Sequence, residues 1–260
     1  MRYQLFASTS AAVLSAALVI PARFAAEDHR RERPARYRVV DLGTLGGTIS
    51  SGNTINNRGW VMGSSNEAGD TVQLAALWRE DQQIPLGTLG GPMSWANAIN
   101  DAGQVAGAAF TELWQEHAFL WQDGTMTDLG TLGGPLSEAL ALNNSGQVVG
   151  GAMTSSYEVH AFLWQDGTMT DLGTLGGANS HAYGINNLGQ VVGTAQTVYG
   201  VDHAFLYSNG AMTDLNAQLP ANSGWMDLSQ ANSINDNGLI AGTGISSSGF
   251  THGFLLNATS

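Results

Sequence analysis

One unit of about 43 residues is written five times along this chain, and that repetition limits the fold more than any other feature. The heptapeptide DLGTLGG stands at 41–47, 128–134 and 171–177. A variant, PLGTLGG, stands at 85–91, and Asp214-Leu215-Asn216 is a decayed fifth copy. Their first residues, Asp41, Pro85, Asp128, Asp171 and Asp214, step by 44, 43, 43 and 43. A second marker, Ile/Leu-Asn-x-x-Gly, has its Asn at 56, 100, 143, 186 and 235. A Ser precedes each of these by six residues: Ser50, Ser94, Ser137, Ser180 and Ser229. A third marker reads HAFLW at His117 and His160, HAFLY at His203 and HGFLL at His252, with LAALW ending at Trp78 as its degraded first copy.

Within a unit, short apolar or alternating runs are separated by turn residues. SEALALN is followed by Asn-Ser-Gly, QVVGGAM by a polar loop, HAFLW by Gln-Asp-Gly, and TMTDLG closes the unit. Asp-Gly and Asn-Gly between apolar runs, at 123–124, 166–167 and 209–210, are strong hairpin signals. No stretch of 37–260 sustains a helical period. Four short antiparallel strands per repeat are the pattern of a β-propeller blade. The long connection GTLGGPLSE is the crossing between blades, so SEALALN is the inner strand and TMTDLG the outer one. The expected fold is all-β: a five-bladed propeller of four-stranded blades. Tyr37–Gly43 reads as an outer strand without a blade, and His252–Asn257 as a third strand without an outer one. The N-terminal strand is therefore expected to complete the last blade and close the ring, which removes two exposed edges. An open solenoid of five repeats is the second reading.

The HAFLW, DLGTLGG and IN-x-x-GQVVG strings resemble the HAF-type extracellular repeat family, over residues 37–257. The resemblance implies an exported bacterial repeat protein and says little about biochemical activity. The first repeat departs from the pattern, with Leu74 in place of the His and no Gly in its hairpin turn; the last has six extra residues and lacks GTLGG. Residues 1–26 agree with export. A short basic start, a 16-residue apolar stretch and a small-residue exit read as a signal peptide. An Arg-rich linker, 27–36, follows, and the propeller occupies 37–260.

Composition removes several chemistries. The chain has no Cys, so disulfides, thiolate metal sites and cysteine nucleophiles are out. Its nine basic residues are all Arg, which excludes Schiff-base lysines and the P-loop lysine. The last is Arg79, and the net charge is −12, so no nucleic-acid partner is expected. No stable membrane insertion is expected after signal cleavage, and no cofactor or metal. The repeated His117, His160, His203 and His252 fall one per blade and cannot converge on one ion. They read as structural, bridging neighbouring strands. The repeated Asp residues read as acceptors for backbone N–H groups of the GTLGG loop. A nucleophile is singular in its environment, whereas these Ser, His and Asp copies are equivalent, so no catalytic residue is assigned.

Function is sought where the repeats differ. The loop between second and third strands carries Trp114, Tyr157, Tyr199 or Phe250, with Glu112, Glu116, Ser156, Glu158 and Asp202 nearby. Such rings suit sugar stacking, and repetition suits multivalency; packing over the blade edge is the competing explanation. Trp95, Glu138 and His181, each following a repeated Ser, together with Trp225, are candidates for a single central site. The reading is a secreted, non-catalytic repeat protein that binds carbohydrate or another extracellular polymer through inter-strand loops. An exported structural or protein-interaction scaffold without a small ligand is the alternative. A polysaccharide-active enzyme is a third, and would need a close carboxylate pair.

Overall fold

The computed structural model describes residues 37–257. The signal-peptide and linker expectations lie outside the described residues. Among the described residues, 19 strands form five antiparallel sheets. The first sheet holds β1 (Gly46–Ile55), β2 (Val61–Glu67), β3 (Gln73–Arg79) and β4 (Gln82–Gly87). The second holds β5 (Gly90–Ile99), β6 (Val105–Thr111), β7 (Glu116–Gln122) and β8 (Thr125–Asp128). The third holds β9 (Gly133–Leu142), β10 (Val148–Thr154), β11 (Val159–Gln165) and β12 (Thr168–Asp171). The fourth holds β13 (Gly176–Ile185), β14 (Val191–Thr197), β15 (Asp202–Ser208) and β16 (Ala211–Asp214). A 3-10 turn, Asn216–Gln218, leads to the fifth: β17 (Trp225–Ile234), β18 (Ile240–Ser246) and β19 (Thr251–Leu256). Strand order follows the chain in every sheet, as the repeat unit predicts.

The markers are fasteners between these sheets. Asn143 shows the pattern. Its Oδ1 accepts from Ser145 N and Gln147 N, and its Nδ2 donates to the Asn186 carbonyl of the next sheet at 3.0 Å. Asn56, Asn100 and Asn186 donate in the same way to Asn100, Asn143 and Asn235. At the other end of the sheets, Ser137 Oγ accepts from Ala118 N at 2.9 Å and donates to the Gly130 carbonyl. Ser94 and Ser180 repeat this bridge. A buried hydroxyl with both a donor and an acceptor partner holds two sheets in register.

The repeated glycine of the second strand has a steric cause. A Cβ on Gly150 would lie 1.9 Å from the Glu138 carbonyl oxygen, and Gly107 and Gly193 meet the same obstacle. Apolar packing lies between sheets. Four clusters fill the four successive interfaces, each around a buried Phe such as Phe119, Phe162 or Phe205. Burying each ring contributes roughly 1.5–3 kcal/mol.

The expected completion of the last blade is not seen. The fifth sheet has three strands, and residues 37–44 form none. The reason is local. Asp41 Oδ1 caps Gly43 N at 2.9 Å, the Leu42 carbonyl accepts from Gln83 Nε2, and Leu45 N bonds Ser65 Oγ. The first marker is thus tied to the first repeat. No core cluster of the described residues joins the fifth sheet to the first. Ile49 and Ile55 of β1 are left 57% and 62% exposed.

Candidate functional site

The ends of the sheets carry different chemistry. At one end the Asn turns of all five repeats surround a cavity of about 340 Å³. Its polar groups are largely spent on each other: Asn57 donates to Asp101 Oδ2 at 2.9 Å, and Asn187 to Asp236 Oδ2 at 2.8 Å. These bonds hold both carboxyls below the ordinary carboxylate range.

The opposite end gathers most of the residues singled out from sequence. There each second strand turns back into the third through a short tip, four residues long in the last four repeats and five in the first. Trp114, Tyr157 and Tyr199 are 70%, 74% and 88% exposed, and Phe250 is 67% exposed. Edge packing therefore does not account for them. They are not strictly equivalent, however. Trp114 N and Tyr157 N close the tip by bonding Thr111 O and Thr154 O; the same bonds come from Gly200 N and Gly249 N in the next repeats. Tyr199 thus stands one residue before that position and Phe250 one after. Trp114 and Tyr157 sit at φ +60° and +65°, where the later copies place glycine at +73° and +82°. A left-handed conformation is a true outlier for a bulky side chain and costs on the order of 1–3 kcal/mol.

The inner-strand set meets this end from the side. Trp95, Glu138 and His181 occupy matching positions on β5, β9 and β13, opposite Ala108, Gly151 and Thr194. Trp95 Nε1 points at Glu138 Oε1 at 3.5 Å, and Asn97 Nδ2 donates to the same oxygen at 3.0 Å. Glu138 and His181 line one cavity together with Glu116. The two sequence-derived sets also join. Trp95 lies edge-on to Phe110 (5.8 Å between centroids), and Phe110 lies 6.3 Å from Trp114. Trp225 does not join His181. It begins β17 opposite Ser246, where other repeats have Gly, and packs edge-on against His252 and Phe254. The longer connection in the last repeat displaced it. Phe250 stacks on His252, so the last sheet has its own ring cluster. Phe110 and Tyr183 were missed as site residues, and Glu116, expected beside the loop rings, instead lines the cavity with Glu138 and His181.

The repeated His residues pair within their own sheets. His117, His160 and His203 hold Asp128, Asp171 and Asp214 through Nδ1 at 2.8 Å. Each Asp also accepts a backbone N–H two residues on. No group of three or more His, Asp or Glu suited to a metal occurs among the described residues. Among the same residues no helix is long and apolar enough to cross a membrane.

A family model described as a protein of unknown function, DUF3466, matches residues 48–249. The chain belongs to the DUF3466 family. No curated protein matches it. Among solved structures, this DUF3466 protein is similar to the β-propeller domain of the trilobed protease from Pyrococcus furiosus, which has an open velcro topology. Identity is 8%, the TM-score 0.53, and the match covers 82% of this chain and 69% of that one. A gluconolactonase from Xanthomonas campestris matches at 14% identity and TM-score 0.41, covering 75% and 69%. The six-bladed fucose-recognising lectin from Aleuria aurantia matches at 12% and 0.37, covering 80% and 72%. The first likeness shows an all-β, propeller-type fold for the DUF3466 chain; the other two fall too low to add to it.

Proposed function

We propose that this is a non-catalytic, five-bladed binding scaffold that holds a carbohydrate or similar extracellular polymer on the face bearing Trp114, Tyr157, Tyr199 and Phe250. The supporting observation is the pair of exposed rings at left-handed positions. Gly would serve the backbone better there, and burial does not compensate. A ring held rigidly in water at a cost gains from stacking on an apolar sugar face. Several such tips on one rigid body give avidity to individually weak contacts. The HAFLW, DLGTLGG and IN-x-x-GQVVG strings and residues 1–26 support reading the protein as an exported, HAF-type repeat protein.

Polysaccharide pull-down with the full chain tests the reading. Trp114→Gly and Tyr157→Gly together should weaken polymer retention tenfold or more while leaving Tm unchanged or slightly raised, because glycine relieves the backbone. Undiminished retention by that variant rejects these tips as the site. Retention of no polymer at all, with a protein captured instead, turns the scaffold into a protein-interaction module.

A further inference from the structure

The third and fourth sheets part around one side chain. His181 lines a cavity of about 150 Å³ on one side, with Glu116, Glu138 and Met153, and a cavity of about 310 Å³ on the other, with Tyr183 and Asp202. Room for its imidazole comes from Gly151. A Cβ there would lie 2.8 Å from His181 Cδ2 and 3.3 Å from Nε2. Unlike Gly150 beside it, Gly151 meets no backbone obstacle and has no positive φ; its nearest clashes are with His181 and Val159 side chains. The matching position is Ala108 on β6 and Thr194 on β14. The third repeat alone has been hollowed out, and the hollow holds the histidine.

The groups facing these cavities are mostly acceptors without partners. Among the described residues, the His181 imidazole, the Tyr183 hydroxyl and the Glu116 and Asp202 carboxylates make no side-chain hydrogen bond, whereas Asn97 fixes Glu138. Burial holds the His181 imidazole below its ordinary range against the pull of Glu138 and Asp202, so the ring is neutral at pH 7. Burial, then Glu138, pushes the Glu116 carboxyl up. No Lys or Arg occurs in 80–260 to balance the carboxylates. Such a groove accepts hydrogen bonds and repels anions.

We propose that the His181 groove, on the side opened by Gly151, is a single specific subsite, one per chain, for an uncharged, hydroxyl-rich sugar unit whose O–H groups donate to Glu116 and Glu138. This rests on the glycan-binding reading and adds to the repeated tips one site with chemical selectivity against uronate or sulfated sugars.

Titration calorimetry of the full chain with neutral glucan, mannan and galactan oligosaccharides, and with oligo-uronates, tests it. The expected result is one strong site for a neutral oligosaccharide and at least tenfold weaker binding of the uronates. Gly151→Ala should weaken that site tenfold or more, because its methyl would press on the His181 ring and displace it. His181→Ala should do the same through loss of the ring itself, which covers the case in which Gly151→Ala misfolds. Wild-type affinity in both variants, or uronates bound as tightly as neutral sugars, overturns the groove; if the tip variant still loses polymer, the broader function survives. No glycan bound by any form removes both.

Discussion

The second, third and fourth repeats and the last carry the same marker residues, yet those residues work differently. In the middle of the chain the Asn and Ser markers act on a neighbouring sheet, while the His marker holds an Asp of its own sheet. Asn143 is 4% exposed and engages two backbone N–H groups, the Gln147 side chain and the next sheet. Asn235, its counterpart, is exposed and only caps its own turn, accepting from Asn237 N and Leu239 N. Ser137 joins two sheets, while Ser229 bonds Thr243 within one. His160 holds Asp171, while His252 pairs with no carboxylate and meets aromatic rings instead. The Asn and Ser markers are therefore joints, and a joint without a following sheet is only a local cap.

Paired substitutions can break that contrast. The largest gap is expected between Asn143→Ala and Asn235→Ala. The first strands several buried partners, and each unsatisfied group costs about 1–3 kcal/mol, so a loss of about 3–5 kcal/mol is expected. The second removes an exposed cap at about 0.5–1 kcal/mol. Urea denaturation measures both; similar midpoints would show that the Asn row does not couple the sheets. A smaller gap is expected for serine. Ser137→Ala leaves Ala118 N without its partner in the core, for about 1–3 kcal/mol, whereas Ser229→Ala gives up one bond worth about 1 kcal/mol or less. Equal losses would assign the serines to their own strands rather than to the joint.

Much of this was readable from sequence because a repeat prints its own boundaries. Strand order, hairpin turns at Asp123-Gly124 and Asp166-Gly167, and the structural use of His and Asp follow from spacing and residue chemistry. What could not be read was anything set by contacts that occur once. The tie between the Leu42 carbonyl and Gln83 depends on a side chain 41 residues away, and it holds the first marker on the first repeat. Trp225, in the insertion of the last repeat, was expected to project near the axis with His181, but it enters β17 opposite Ser246, at a different register. Gly151 looked like one more glycine of a Gly-rich chain. Only coordinates separate it from Gly150, which every repeat needs, and connect it to His181.

The last contrast concerns Asp227, which stands two residues before the repeated Ser where Pro92, Pro135 and Ala178 stand elsewhere. Its Oδ1 is buried without a hydrogen-bond partner. His203 Nε2 lies 3.7 Å away, too long for a hydrogen bond, and the other ring nitrogen already holds Asp214 at 2.8 Å. Burial, outweighing the attraction of His203, raises the Asp227 carboxyl above the ordinary carboxylate range. The sign follows from linkage. Well below the ordinary aspartate pKa of about 3.9 the carboxyl is protonated in both folded and unfolded chains, and the native state bears no penalty. As pH rises, the unfolded chain ionises first, so stability falls until the folded carboxyl has also ionised, and stays lowered above that. Asp227→Asn removes the ionisable group at nearly the same shape. Thermal melts should therefore show the variant about 1–3 °C more stable at pH 7, with the difference shrinking as pH falls through the titration of the raised folded carboxyl towards about 4 and vanishing in stronger acid. A variant less stable at pH 7 would mean that attraction to His203 outweighs burial, and that this carboxylate joins the last two repeats.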